Sequence, residues 1–235
     1  DVWGMPSFEV PSPDSCRAED QGCDVDFGLV ECETTSDCYM GGICLPVRAT
    51  VTQPGQEART LCVGHSDDFY DELYDTMIEA ESYLDIASLT QPDGRFEAAI
   101  RNALTYLSNT GRVVTARYLY GALPRANTDE VIDSLMRDVK LGSALKMHVG
   151  AYRIGVTSWN HAKIIAVDVK VLITGGHNFW DQHYLKTAPV HDLSIRLTGT
   201  PADDAHYFIN QMWAHTCAGY WWWSESGTSV FPATA

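Results

Sequence analysis

Long apolar stretches are missing from this 235-residue sequence: no run approaches the 18 or more residues that a membrane-spanning helix needs. Basic residues are scarce, with 16 Lys and Arg against 31 Asp and Glu, a net charge of -15. A surface of that sign repels a phosphate backbone, so general nucleic-acid binding is disfavoured. No Cys-x-x-Cys pair occurs, and the ligand spacing of a zinc finger or ribbon is therefore absent. No Asn-x-Ser/Thr acceptor occurs either, which removes one support for secretion. The sequence starts at Asp1 rather than Met, which suggests a mature product after loss of a targeting peptide.

What is present divides the chain in two. Six of the seven cysteines (Cys16, Cys23, Cys32, Cys38, Cys44 and Cys62) fall in the first 62 residues, leaving Cys217 alone. Those 62 residues also hold eleven acidic against three basic side chains, so more than half the excess negative charge sits in about a quarter of the chain. Clustered cysteines among acidic loops indicate a disulfide-stapled, extracellular segment, with fifteen pairings open to six cysteines. Cys217 is left to pair with Cys62 or with another chain. Pro6, Pro11, Pro13, Gly22, Gly28, Gly41 and Gly42 break any periodic pattern, so residues 1–65 read as an irregular extension. It serves either as a partner-binding cap or as a cover for an exposed sheet edge.

Residues 66–235 read as an α/β catalytic unit. Phe69, Leu73 and Met77 recur at helical spacing after a start near Ser66. Strands are expected at 83–89, 113–120, 145–152, 160–168, 170–174 and 193–197. Helices are expected from Phe96 to a stop at Gly111, at 128–140 with Thr128 as cap, and at 201–213. Such alternation predicts a mixed β-sheet with helices on both faces.

The most informative stretch is Ser158-Trp159-Asn160-His161-Ala162-Lys163, then four residues and Asp168, then Gly175-Gly176-His177-Asn178. His-x-Lys alone carries no weight, but with an Asp and a Gly-Gly-x-Asn at fixed offsets the combination is specific. On an extended segment His161 and Lys163 fall on one face. One supplies a nitrogen nucleophile and the other a fixed positive charge, a pairing suited to a phosphodiester.

This pattern resembles the His-Lys-Asp signature of the phospholipase D superfamily, in particular that of its secreted Streptomyces-type members. The likeness extends through Phe179-Trp180, the Tyr184 to Asp192 run, the strand to Gly199, and Trp213-Ala214-His215-Thr216-Cys217, and covers roughly 69–217. The resemblance implies that His161 is the nucleophile, forming a phosphohistidine, and that Asp192 orients its ring. Lys163 and Asn178 would hold the phosphate oxygens. Gly175 and Gly176 would let the backbone pass close to the site, Trp180 and Tyr184 would line its mouth, and Asp168 would brace the turn after the strand. No cofactor is implied. A metal held by His177, His183 or His191 is unnecessary where Lys and Asn already clamp the phosphate.

The family builds its site from two such halves, and this sequence carries one His-x-Lys. The second motif is expected from a processed C-terminal chain or from a second copy of this chain. The expected activity is that of a secreted phospholipase D: hydrolysis of phosphatidylcholine-like phospholipid, head-group exchange with alcohols, and transient contact with a membrane surface. Tyr220-Trp221-Trp222-Trp223 would pack on the missing half or meet that membrane. The rival readings are a nuclease or other phosphodiesterase working as a homodimer, and a non-catalytic binding protein or toxin subunit that keeps the fold.

Overall fold

The computed structural model describes residues 30–38, 42–64, 67–121, 127–154, 158–184, 190–218 and 228–231. Cys16, Cys23, Ser66 and the Tyr220–Trp223 run lie outside them. The elements in order are β1 (Ile43–Val47), β2 (Arg59–Val63), α1 (Asp68–Ile78), β3 (Tyr83–Ser88), α2 (Gly94–Thr110), β4 (Thr115–Gly121), α3 (Thr128–Met136), β5 (Lys146–Ile154), β6 (Ser158–Trp159), β7 (Ile164–Val167), β8 (Val171–Gly175), α4 (Asp181–Tyr184), β9 (Ser194–Thr198), α5 (Pro201–Cys217) and β10 (Thr228–Phe231).

One mixed sheet runs β10-β5-β4-β3-β7-β8-β9, with β6 paired to β5. β3, β4 and β5 are mutually parallel, while β7, β8, β9 and β10 join antiparallel to their neighbours. Alternation along each strand feeds two cores, as a period of two requires. Leu84, Ile86, Tyr118, Val149, Ile165 and Val167 pack under helices α1 to α3. Ala87, Leu119, Ile164, Ala166 and Leu172 face Ala205, Ile209 and Trp213 of α5. Gly150 lets α5 lie close, because a Cβ there would stand 2.7 Å from the Trp213 ring. The fold is α/β with helices on both faces of a mixed sheet.

Helix ends follow local chemistry. α2 ends at Gly111, whose φ of 76° is a left-handed cap that other residues adopt reluctantly. At α3 the cap is Asn127, not Thr128: its side-chain oxygen accepts from Glu130 N–H at 3.3 Å. α3 also stops four residues short of the expected end, at Met136.

The described part of the extension is more ordered than its prolines and glycines suggest. β1 and β2 form an antiparallel hairpin with Cys44 opposite Cys62. Pro46 is tolerated because β1 pairs with β2 along one edge and is an edge strand on the other. Disulfides join Cys32 to Cys44 and Cys38 to Cys62. Cys62 is therefore not the partner of Cys217, which is free and exposed. The hairpin does not cover a sheet edge. Val47, Ala49, Val51, Leu61 and Val63 join the core under α1 and α2. The Asp71 carboxylate of α1 accepts from Arg48 N–H at 2.9 Å and Ala49 N–H at 2.7 Å.

Candidate active site

Parallel strands end with unpaired carbonyls at their C-terminal edge, and the motif segment crosses the sheet there. β7 begins only at Ile164, so His161, Ala162 and Lys163 precede the strand instead of lying within it. His161 is exposed and Lys163 is buried. The Lys163 ammonium donates to the His161 carbonyl oxygen at 2.9 Å, and no salt bridge reaches it among the described residues. Burial lowers its pKa, partly opposed by the Asp192 charge. The His161 pKa is lowered by loss of hydration and then by the Lys163 charge. Both effects favour a neutral imidazole beside a cation that lacks a close counter-ion.

Asp192 arrives on the segment leading into β9, alongside Gly175 and Gly176. A Cβ on Gly175 would overlap the Leu193 carbonyl, and one on Gly176 would overlap Asp192 Oδ1. Gly176 thus makes room for the Asp192 carboxylate, and Gly175 for the Leu193–Ser194 backbone. Among the described residues no hydrogen bond joins Asp192 to His161. The carboxylate instead accepts from the Tyr184 hydroxyl at 2.7 Å. The same oxygen of Tyr184 accepts from Asn178 N–H at 3.1 Å. Tyr184 is 1% exposed and sits in the main core, so it does not line a mouth; it couples Asp192 to Asn178 from below. Burial pushes its hydroxyl pKa up to about 12, so it stays a donor.

The Asn178 side-chain oxygen is buried without a hydrogen-bond partner among the described residues. Trp180 is half-buried, its indole N–H bonded to Thr90 Oγ1 at 2.7 Å and its ring edge-on to His183. Asp168 lies at the opposite end of β7. Its φ is 47°, and its carboxylate accepts from the backbone N–H groups of Glu81, Ser82 and Tyr83 at 2.9–3.0 Å.

Two features escaped the sequence reading. His177 is packed between the rings of Phe69 and Tyr184, with Nδ1 2.8 Å from Ser194 Oγ, and burial lowers its pKa to about 4. It is a neutral core histidine. Beneath α4, Arg95 is 1% exposed and bridges Asp67 and Asp181 at 2.9 and 3.0 Å, fixing the segment that follows Asn178. Charged residues 28 and 86 positions from Arg95 give no local signal of that pairing.

No protein-family model matches the sequence. Over 179 residues, 69% of its length, the chain is 34% identical to phospholipase D of Streptomyces antibioticus. The chain belongs to the phospholipase D superfamily. It spans about a third of that relative, 32% of its length. Among solved structures, NucT from Helicobacter pylori aligns over 61% of this chain and 86% of its own, at 12% identity and a TM-score of 0.44. Phosphatidylserine synthase from Haemophilus influenzae Rd KW20 aligns over 70% and 37%, at 10% identity and 0.44. The elements that carry the motif are β7, the β8 end with its two glycines, and the approach to β9. Around this edge Lys163 feels the Asp192 charge and Tyr184 joins Asp192 to Asn178, while Asp168 lies at the other end of β7.

Proposed function

We propose that this chain is the half of a secreted phospholipase D that supplies the nucleophile. The observation that carries the reading is the exposed His161, its pKa lowered, beside the buried ammonium of Lys163, which has no salt bridge among the described residues. An imidazole nitrogen of His161 attacks phosphorus, the bond to the head-group oxygen breaks, and a phosphohistidine forms. Lys163 and the Asn178 side chain take the non-bridging oxygens, whose negative charge Lys163 neutralises as the ester bond breaks. The leaving alcohol takes a proton from a second histidine, contributed by a second motif on a processed chain or another copy of this one. That histidine then removes a proton from water, which cleaves the phosphohistidine; an alcohol in place of water gives head-group exchange.

Asp192 acts at the edge of this site. Its charge acts on Lys163 and His177, and through them on the field around the phosphate. Phosphatidylcholine-like lipid is the favoured substrate over nucleic acid because of the net charge of -15.

The test is choline release from phosphatidylcholine vesicles by the full protein and by His161→Ala. Loss of at least about a thousandfold is expected. Retained release by a folded mutant removes His161 from the role, and cleavage of an oligonucleotide in preference to lipid turns the assignment to a nuclease.

A further inference from the structure

The residue before the nucleophile has a bonding pattern that the chemistry above does not use. Asn160 is 2% exposed at the C-terminal edge of the three parallel strands. Its side-chain amide donates to Ser88 O of β3 at 2.8 Å and to Leu119 O of β4 at 2.9 Å. Its backbone N–H donates to Tyr152 O of β5 at 3.3 Å. Its side-chain oxygen accepts from Ala162 N–H at 2.9 Å, closing a turn with His161 at its centre. One residue therefore meets carbonyls from three strands, and both amide donors and the acceptor are used. His161's own carbonyl is held by Lys163.

The fit depends on a second residue. A Cβ on Gly121, the last residue of β4, would stand 2.5 Å from Leu89 O and 2.7 Å from Asn160 O. Only glycine lets the crossing segment lie this close to the strand ends. No other side chain repeats the Asn160 pattern. Asp lacks both donors and would oppose two carbonyl oxygens with a third. Ser keeps the turn to Ala162 and gives up one strand.

We propose that Asn160 is the positioning residue for the nucleophile, seating the His161 backbone on the ends of β3, β4 and β5 so that an exposed imidazole keeps a fixed attack direction. The proposal rests on His161 being the nucleophile. A side chain in solvent has no packing of its own to orient it; here the order comes from the backbone beneath it.

The experiment measures kcat and KM for choline release, and phosphoenzyme formed per folded molecule, in the full protein carrying Asn160→Ala, Asn160→Ser, Asn160→Asp, Gly121→Ala or His161→Ala. For Asn160→Ala, kcat is expected to fall about 100-fold with KM within about threefold, the signature of misplaced reacting atoms. Asn160→Ser should recover about a tenth of the wild-type rate through its retained turn, and Asn160→Asp should be the poorest of the three. Gly121→Ala leaves every donor in place and displaces the segment, so it should lower kcat in the same way even where an Asn160 variant fails to fold. Asn160 and Gly121 variants that lose thermal stability yet keep wild-type kcat per folded molecule overturn the proposal. An active His161→Ala protein refutes the nucleophile instead, whatever the Asn160 variants do.

Discussion

The four residues of β7 separate two clusters of charge that are arranged in opposite ways. At one end Lys163 is buried with no salt bridge among the described residues, and the pKa values of His161, Lys163 and His177 are all lowered. About 16 Å away, five residues along an extended chain, the charges are matched. There Asp85, 1% exposed, receives both Nε and Nη2 of Arg117 at 2.6 and 2.5 Å and His206 Nδ1 at 2.6 Å. The other nitrogen of His206 meets the Asp168 carbonyl at 2.6 Å. A cavity of about 700 Å³ opens at this far end, lined by Tyr83, Thr115, Arg117, Lys170, His206 and Asn210 among others. Its cations already have partners: Arg117 on Asp85 and Asn210, Lys170 on Glu81, His206 on Asp85. Space alone does not mark the site. An anion gains most where a desolvated cation lacks a counter-ion, and among the described residues Lys163 is buried with no salt bridge.

If this contrast is right, removing Lys163 harms activity and spares the fold. Lys163→Met should lower phosphodiesterase activity about a hundred- to a thousandfold. Its stability in urea should match or slightly exceed wild type, because a buried unpaired cation has gone. Strong destabilisation by that substitution would mean the ammonium is structural and the contrast false.

The far end should respond in the reverse sense. Asp85→Ala leaves Arg117 and His206, both half-buried, without their counter-ion, and a loss of about 3 kcal/mol, the low end for a broken buried pair, is expected from equilibrium urea unfolding. A loss below about 1 kcal/mol would show that water enters the cluster and screens it.

How far each end could be read from sequence differs for the same physical reason. The candidate edge could be proposed from sequence because its residues lie at short fixed offsets: His161, Lys163, Asn178 and the two glycines fall within 18 positions. The layers were legible too, since Leu84 and Ile86 alternate with Asp85 and Ala87 as a sheet covered on both sides demands. The far cluster was not. Arg117 is 32 positions and His206 121 positions from Asp85, and only the sheet register with the packing of α5 brings them together. The one local hint is Asp85 itself, a carboxylate inside the apolar run Tyr83–Ser88. The hydroxyl that Asp192 accepts from was hidden for a similar reason. Tyr184 looks like an exposed aromatic in sequence, and only the packing of α4 on the core turns it inward. Disulfide pairing was open among fifteen choices until β1 and β2 placed Cys44 opposite Cys62, each bonded elsewhere.

The two ends should also separate by pH. His177 is held neutral, so its proton goes on in the unfolded chain first. Its contribution to stability is whole above the ordinary value of 6.5 and is lost as pH falls from there to about 4. His206 is the converse. Both ring nitrogens face acceptors, a carboxylate and a carbonyl, so both must carry protons. The bond and charge of Asp85 and the Asp168 carbonyl raise its pKa, against burial and the repulsion of Arg117. Lys170 and Asp203 also border the cavity beside it. Its contribution is whole below the ordinary 6.5 and disappears as pH rises through the raised value. Each histidine should be worth a few kcal/mol at most. His177→Phe should flatten the acid limb of a stability profile and His206→Gln the alkaline limb. Swapped assignments would undo the electrostatic contrast.

The smallest effect is expected at the motif aspartate, and it bears on what the motif means. Asp168 holds three backbone N–H groups of the 81–83 turn from a left-handed φ of 47°. Asparagine tolerates that backbone and keeps one acceptor oxygen, so Asp168→Asn preserves part of the brace. It gives up the ionic strengthening of the bonds and turns an amide toward donors. The expected loss is about 1–2 kcal/mol of stability, with kcat per folded molecule within about threefold of wild type. Of the motif's three residues, His161 and Lys163 would then act on phosphate and Asp168 would hold the far end of the strand that follows them. A hundredfold fall in kcat at full stability would instead show that the two ends of β7 are coupled in the reaction, and that the far cluster tunes the near one.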